Sequence, residues 1–343
     1  MIRVYPNAIR HNPPMHASEL WEDPGVGPTL ARLALSPLSL IYAIGWEAYL
    51  GVYRLGIKKA AHPHSPIVCV GNLVSGGSGK TPITLHLVQV LRELGNEVVV
   101  SSSGYGSPKS EAASVAPEGN IDARTWGDEA ALFRHTYPDL PLIVGRRRVL
   151  AAQLAGESFP GAVLMLDDGF QHLPLKKDLT ILLDPERPLN RMCLPAGPYR
   201  EPRWNRKRAD LVLPGNFQVV ESTQLTLPNG TPAPTPETTN LLCAVGKPQN
   251  VASALEGHGV LIQTKLFMPD HDPLAGGTLL GTLPSEIPTV VTAKDWVKLR
   301  NRTDLGGRQF LILDHKARIE PRDMFKDWLQ RHLHVIQEAN LPR

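Results

Sequence analysis

The stretch from residue 65 to 95, SPIVCVGNLVSGGSGKTPITLHLVQVLRELG, constrains the fold of this chain more than any other. Its apolar start reads as a buried strand, and TPITLHLVQVLRELG reads as a helix stopped at Gly95. Between them lies a glycine-rich loop whose backbone N–H groups, with the helix N-terminus behind them, favour a phosphate anion. Strand, loop, lysine, threonine and helix stand in the register that a phosphate loop requires. Lys80 is placed to reach the β- and γ-phosphates of ATP, and the Thr81 hydroxyl to hold Mg²⁺. Val74, Ser75, Gly76, Gly77, Ser78 and Gly79 complete the nucleotide-binding set. Pro82 falls in the first helical turn, where its missing N–H has no partner to lose. The strict spacing G-x-x-x-x-G-K-[ST] asks for glycine at position 74, where Val74 stands. The doubled Gly76-Gly77 has a counterpart in partition-type ATPases, but those carry a lysine where this chain has Ser75.

Further strands follow in NEVVVSSSG, LPLIVG and GAVLMLDDG, each short, apolar and ended by glycine. Their alternation with helices predicts an α/β fold: a parallel sheet with helices on both faces and ligands at the carboxyl ends of the strands. The proline-rich stretch at 227–238, LPNGTPAPTPET, reads as a linker, and a smaller set of strands comes after it. The expected organisation is an amino-terminal helical segment (1–60), a phosphate-loop domain (61–226) and a smaller carboxy-terminal α/β domain (227–343). A chain of 343 residues is long enough for two such cores. A net charge of only +3 demands no nucleic-acid partner. Cys69, Cys193 and Cys243 lie far apart, which argues against a disulfide scaffold or zinc knuckle and fits a reducing compartment. The first 25 residues are polar and proline-dotted and show no secretory signal, so a cytoplasmic protein is expected.

Residues 33–46, LALSPLSLIYAIGW, form the longest charge-free apolar run, shorter than the roughly 20 residues of a membrane span. Tyr42, Trp46, Tyr49 and Tyr53 make one helical stripe, closed by Arg54, Lys58 and Lys59. That pattern suits a helix in a lipid headgroup layer, and it equally suits a core-packing helix whose tyrosine hydroxyls stay wet.

Several carboxylates and arginines are candidates for the chemistry. The strand AVLML delivers Asp167 and Asp168 at its carboxyl end, where a metal-bound nucleotide would lie. With a phosphate loop upstream, that reading outweighs a plain Asp-Asp-Gly turn. In TWGDEAAL, Asp128 and Glu129 stand at a helix start, as a cap or as a general base; spacing does not decide. VGRRRVL places arginines after a strand, Arg148 among them, and LPAGPYREP fixes Arg200 between prolines; both can clamp an anionic phosphate. FMPDHD contributes Asp270 and His271, and a lone histidine is more often structural than catalytic.

The motifs GNLVSGGSGKTP, GDEAAL, LDDGFQH, LPAGPYREP, PDHD and TAKDWVKL, in this order, resemble the tetraacyldisaccharide 4′-kinase family, from about Pro37 to about Leu299. Val74 and Ser75 in the loop match that family. The resemblance implies transfer of the ATP γ-phosphate to the 4′-hydroxyl of a tetraacylated glucosamine disaccharide 1-phosphate. It also implies a place on the cytoplasmic face of the bacterial inner membrane, peripheral or monotopic, with a glycolipid substrate and no obligate protein partner. By the family pattern Lys80 and Thr81 bind ATP–Mg²⁺, Asp167 and Asp168 serve the metal, Asp128 acts as base assisted by His271, and Arg148 and Arg200 lie near the phosphates or substrate. One departure is plain: SSSGYGS has Ser103 and Ser107 where the family has arginines, and Asp272 stands where a second histidine is common. A nucleotide-switched partition-type ATPase would ask for lysine at 75 and leaves LPAGPYREP without a purpose. A non-catalytic membrane protein that keeps the loop only for folding is the other rival.

Overall fold

The computed structural model describes residues 17–63, 65–76 and 79–340. After a short α1 (Ala17–Glu22), helix α2 (Val26–Arg54) runs for 29 residues, about 43 Å at the usual rise. Val26, Leu30, Leu33, Leu40, Ile41 and Ile44 expose more than half of their surface along one side of it. By length and composition α2 could cross a membrane, and only 11% of its most apolar window is buried. The aromatic stripe turns the other way. Trp46 donates to Glu201, Tyr42 donates to the Arg200 carbonyl, and Leu50 is buried. The outward surface of this helix is therefore aliphatic, while Tyr42 and Trp46 of the aromatic stripe meet the protein and Tyr49 and Tyr53 pack edge-on along the helix.

The first sheet is built from β1 (Ile67–Asn72), β2 (Val98–Ser102), β3 (Ser114–Val115), β4 (Leu142–Val144), β5 (Val163–Asp167), β6 (Leu179–Leu183) and β7 (Leu211–Leu213), in the order β3-β4-β2-β5-β1-β6-β7. All pairings are parallel except β3 with β4. Every residue of β1, β2 and β5 is buried, which is why these strands read as unbroken apolar runs. Helix α3 (Lys80–Glu93) covers one face through Ile83, Leu87 and Leu91, and α6 (Arg148–Ser158) covers the other through Ala151, Ala152 and Ala155. Between β3 and β4 lie α4 (Ala123–Trp126) and α5 (Asp128–Thr136).

The second sheet contains β8 (Gln218–Thr226), β9 (Thr238–Cys243), β10 (Leu261–Phe267), β11 (Thr289–Thr292) and β12 (Phe310–Glu320), in the order β10-β9-β11-β12-β8. β8 runs antiparallel to β12 in continuous register from Gln218↔Glu320 to Thr226↔Ile312. The second sheet thus begins at Gln218, ahead of the proline-rich stretch, which forms the turn from β8 to β9. Helices α7 (Pro248–Gly257) and α8 (Ala293–Leu299) flank this sheet, and α8 packs against α5 of the first. The last helix, α9 (Arg322–Asn340), returns to the first unit: Phe325, Leu329 and Leu333 share a core with Ile83 and Leu87. The two sheets are therefore tied at two places, and the cleft between them is held from both sides.

Candidate active site

At the carboxyl end of β1 the chain turns into the phosphate loop at Gly71, where a Cβ would come within 2.5 Å of the Phe170 Cβ. Glycine is required there by the close approach of the loop that follows β5. Gly79 is left-handed (φ 72°) and leads into α3, whose first residues are Lys80 and Thr81. The Lys80 Nζ lies 3.5 Å from Asp168 Oδ2 and 3.3 Å from the Asn72 side-chain oxygen. Arg200 reaches the same aspartate with both terminal nitrogens, at 3.0 and 3.1 Å, and also donates to Asn72 Oδ1. Asp168 sits in the left-handed region (φ 57°), which turns its carboxylate out of line with the buried strand before it. Burial would raise its carboxyl, but Lys80 and Arg200 outweigh that and hold it below the ordinary range.

Asp167 is 2% exposed. It accepts from Thr84 Oγ1 at 2.9 Å, and the Thr81 hydroxyl lies 3.5 Å away. Its carboxyl is pushed up, chiefly by burial and then by the charge of Asp168, against the opposing pull of Lys80. Glu129, next along from Asp128, is pushed up to about 7 by burial and by the charges of Asp167 and Asp128. Asp167 beside the Thr81 hydroxyl, with its charge felt at Glu129, offers oxygen donors of the kind a hard cation takes. Among the described residues no three acidic, histidine or cysteine side chains could hold a metal alone. Mg²⁺ is commonly held by one or two carboxylates together with substrate phosphates and water.

The other end of the cleft is made where α5 meets α8. Gly127 (φ 89°) lets the turn before α5 press on the backbone of Gly104; a Cβ there would lie 3.3 Å from the Gly104 Cα. Asp128 then points inward, 7% exposed, with Oδ2 2.9 Å from His271 Nδ1 and Oδ1 accepting from the Glu129 N–H at 2.9 Å. Lys294 and Lys298, from α8, approach the same Oδ2 at 3.4 and 3.8 Å. Burial alone would raise the Asp128 carboxyl, but the His271 hydrogen bond and the lysine charges overturn this and hold it far below the usual range. His271 has a positive φ of 62°, and its ring lies 5.0 Å from that of the exposed Tyr105. Thr292 caps α8 by accepting from the Asp295 N–H, and Asp295 anchors Lys298 at 3.2 Å. The cap and the buried pair thus set both lysines on the face that meets Asp128.

The cleft gathers Lys80, Thr81, Asp167, Asp168 and Arg200 at one end and Asp128 with His271 at the other. Arg148 lies directly beneath the two aspartates. It is 3% exposed, its guanidinium donates to Ser101 and the Asp167 carbonyl, and it holds the aspartate turn from beneath. In the loop, the Ser75 N–H donates to the Pro198 carbonyl at 2.8 Å and Val74 bridges to Tyr199, so these backbone groups face the chain around Arg200. Gly77 and Ser78 lie outside the described residues. Asn72, Lys294 and Lys298 were not singled out by the sequence reading as site groups, and Glu129 only as a cap or base beside Asp128. TAKDWVKL holds both lysines at i and i+4, one helix face, and that spacing was the available signal.

A phosphate loop at the end of a parallel strand, an aspartate pair beside it and a charged acid–histidine pair opposite define an ATP-dependent phosphotransferase. The chain belongs to the tetraacyldisaccharide-1-P 4′-kinase family, whose model matches residues 31–334. It is 36% identical over 336 residues to a tetraacyldisaccharide 4′-kinase of Shewanella piezotolerans, covering 94% of this chain and 98% of that one. It is 34% identical to the enzyme of that name from Verminephrobacter eiseniae, over 85% of this chain and 72% of the relative. Among solved structures, LpxK from Aquifex aeolicus in complex with ATP superposes with a TM-score of 0.75 at 25% identity, over 88% of this chain and 99% of the other.

Proposed function

We propose that this chain transfers the γ-phosphate of ATP to the 4′-hydroxyl of a tetraacyldisaccharide 1-phosphate, giving a bis-phosphorylated lipid A precursor. The observation that carries the reading is the cleft itself. One wall, Lys80 and Arg200 around Asp168, suits an anionic phosphoryl group, and the other, Asp128 with His271, suits removal of a hydroxyl proton. Lys80 and Arg200 would follow the charge on the transferring group. Asp128 is held ionised by His271, Lys294 and Lys298, and its 2.9 Å hydrogen bond orients the imidazole, so that the two side chains act as one unit in taking up the hydroxyl proton. Thr81 and Asp167, with Asp168 or Glu129, would hold Mg²⁺, which would supply charge neutralisation on the phosphates.

The sequence units 1–60, 61–226 and 227–343 take three tasks in this reading: seating on lipid, holding nucleotide, and completing the base. The exposed aliphatic side of α2 supports a seat on the bilayer, since interfacial binding grows with buried apolar area. ATP and the free thiols of Cys69, Cys193 and Cys243 favour the cytoplasmic face of the inner membrane. The switching-ATPase alternative lacks its lysine at Ser75 and has no use for α2. Incubation with γ-labelled ATP, with and without the disaccharide lipid, tests the proposal. Label should enter the lipid, with little inorganic phosphate released in its absence; hydrolysis indifferent to lipid would refute it.

A further inference from the structure

One chain segment, residues 193–201, lies between helix α2 and the phosphate loop and bonds to both. On the α2 side, Ser39, Tyr42 and Trp46 fall at i, i+3 and i+7, a single helical face. The Ser39 hydroxyl donates to the Cys193 carbonyl at 2.6 Å and accepts from the Ala196 N–H at 2.9 Å. The Tyr42 hydroxyl donates to the Arg200 carbonyl at 2.6 Å, and the Trp46 indole donates to Glu201 Oε2 at 2.9 Å. On the loop side, the Ser75 N–H donates to the Pro198 carbonyl at 2.8 Å and the Arg200 N–H to the Leu73 carbonyl at 2.7 Å.

Glu201 is fully buried and is the hub of this contact. Besides Trp46 it takes Arg208 at 2.5 Å and the Gln171 amide at 3.0 Å. Gln171 in turn donates to the Asn72 carbonyl at 2.8 Å, and the Asn72 side chain meets Lys80 and Arg200. A continuous run of hydrogen bonds therefore leads from the indole of Trp46 to the two cations that face the transferring phosphate. The helix that carries it exposes its opposite side as a strip of aliphatic residues.

Resting on the function proposed above, we propose that Glu201 is a positioning residue that couples the seating of α2 to the placement of Arg200 and the phosphate loop. The two faces of one helix then serve different steps. The aliphatic face governs how well the enzyme engages lipid, and the face with Tyr42 and Trp46 governs how fast phosphate moves once it has. A buried carboxylate serving only as the counter-ion of Arg208 would have no such reach.

The test compares Tyr42→Phe/Trp46→Phe, which deletes two donors and keeps an aromatic ring at each position, with Leu33→Ala on the exposed face. For the aromatic pair, kcat in mixed micelles should fall about three- to tenfold with the KM for lipid near wild type, the scale of one or two net hydrogen bonds. For Leu33→Ala the effect should fall on the lipid KM with vesicles. Independently of activity, hydrogen exchange without substrate should speed by about three- to tenfold at the Ser75 and Arg200 amides of the aromatic variant, with the β2 amides unchanged. Wild-type exchange at both amides would overturn the coupling, as would loosening spread equally into β2, because the contact would then only support the fold. Should the wild type fail to phosphorylate the lipid, the functional reading falls, while the exchange comparison still decides the coupling.

Discussion

The two ends of the cleft use positive charge for opposite purposes. At the phosphate loop, Lys80 and Arg200 are partly open and lean on Asp168, whose carboxylate is itself about a third exposed. Such pairs can exchange an aspartate for an incoming phosphate at modest cost. At the other end Lys298 is 4% exposed and closes on Asp295, which is fully buried, while Asp128 is shielded from water by His271 and both lysines. Here the cations are permanent and keep an acid charged. One end is built to bind and release, the other to stay as it is, and the two should answer differently to substitution.

The largest effect is expected at the open end. Lys80→Ala removes a charge aimed at the transferring group, and phosphate transfer should fall by at least a hundredfold, several kcal/mol of barrier, with little loss of stability. Steady-state transfer rates and a thermal melt of the same sample would check this. A variant retaining more than about a tenth of the rate would place the nucleotide elsewhere. At the closed end the expected cost lies in folding. Lys298→Met leaves Asp295 without its cation and should lower stability by about 3 kcal/mol. Denaturant unfolding measures it, and a loss below about 1 kcal/mol would mean that the Ala244 N–H and the Thr292 hydroxyl, which also donate to Asp295, suffice.

The smallest effect comes from the join between α3 and α9, away from both ends. His86 is 5% exposed, stacks on Phe325 at 6.3 Å between ring centroids, and its Nε2 has no partner among the described residues. Burial, with Arg322 nearby, depresses its value from 6.5 to about 4. The unfolded chain therefore takes the proton first. The contribution is complete above pH 6.5 and is lost as pH falls toward 4, about 3 kcal/mol in full. His86→Leu should flatten the stability slope in that window; an unchanged slope would assign it to other groups.

The open end was legible in the sequence because its parts are local. Strand, loop and helix are contiguous, and the carboxyl end of the neighbouring parallel strand carries the aspartates by the general rule for such sheets. What lay between elements was harder to read. The start of the second sheet was missed because β8 is half solvated along most of its length, with polar residues where an apolar alternation would have announced a strand. Arg148 follows a strand, as a phosphate clamp would, yet it turns under the aspartates because α6 begins at that residue and carries it inward. The aromatic stripe of α2 fits lipid or protein by periodicity, and only the position of residues 193–201 turned Tyr42 and Trp46 to the protein. Glu129 was visible at a helix start, but the Asp167 charge that raises its carboxyl comes from β5, which no local spacing relates to α5. The pairing of Asp128 with His271 came from the family pattern, since 143 residues separate them and no spacing rule spans that distance.

That pairing holds the central claim, a base completed only where the two sheets meet, and a double-mutant cycle on Asp128 and His271 tests it most directly. Asp128→Ala and His271→Ala should each slow transfer by about a hundredfold or more, within the range of general-base catalysis, while ATP affinity changes little. Acting as a unit, they should be strongly non-additive, so that the double variant is scarcely slower than the poorer single one. Losses that multiply in full, with ATP binding intact, would show two independent roles and contradict the shared base.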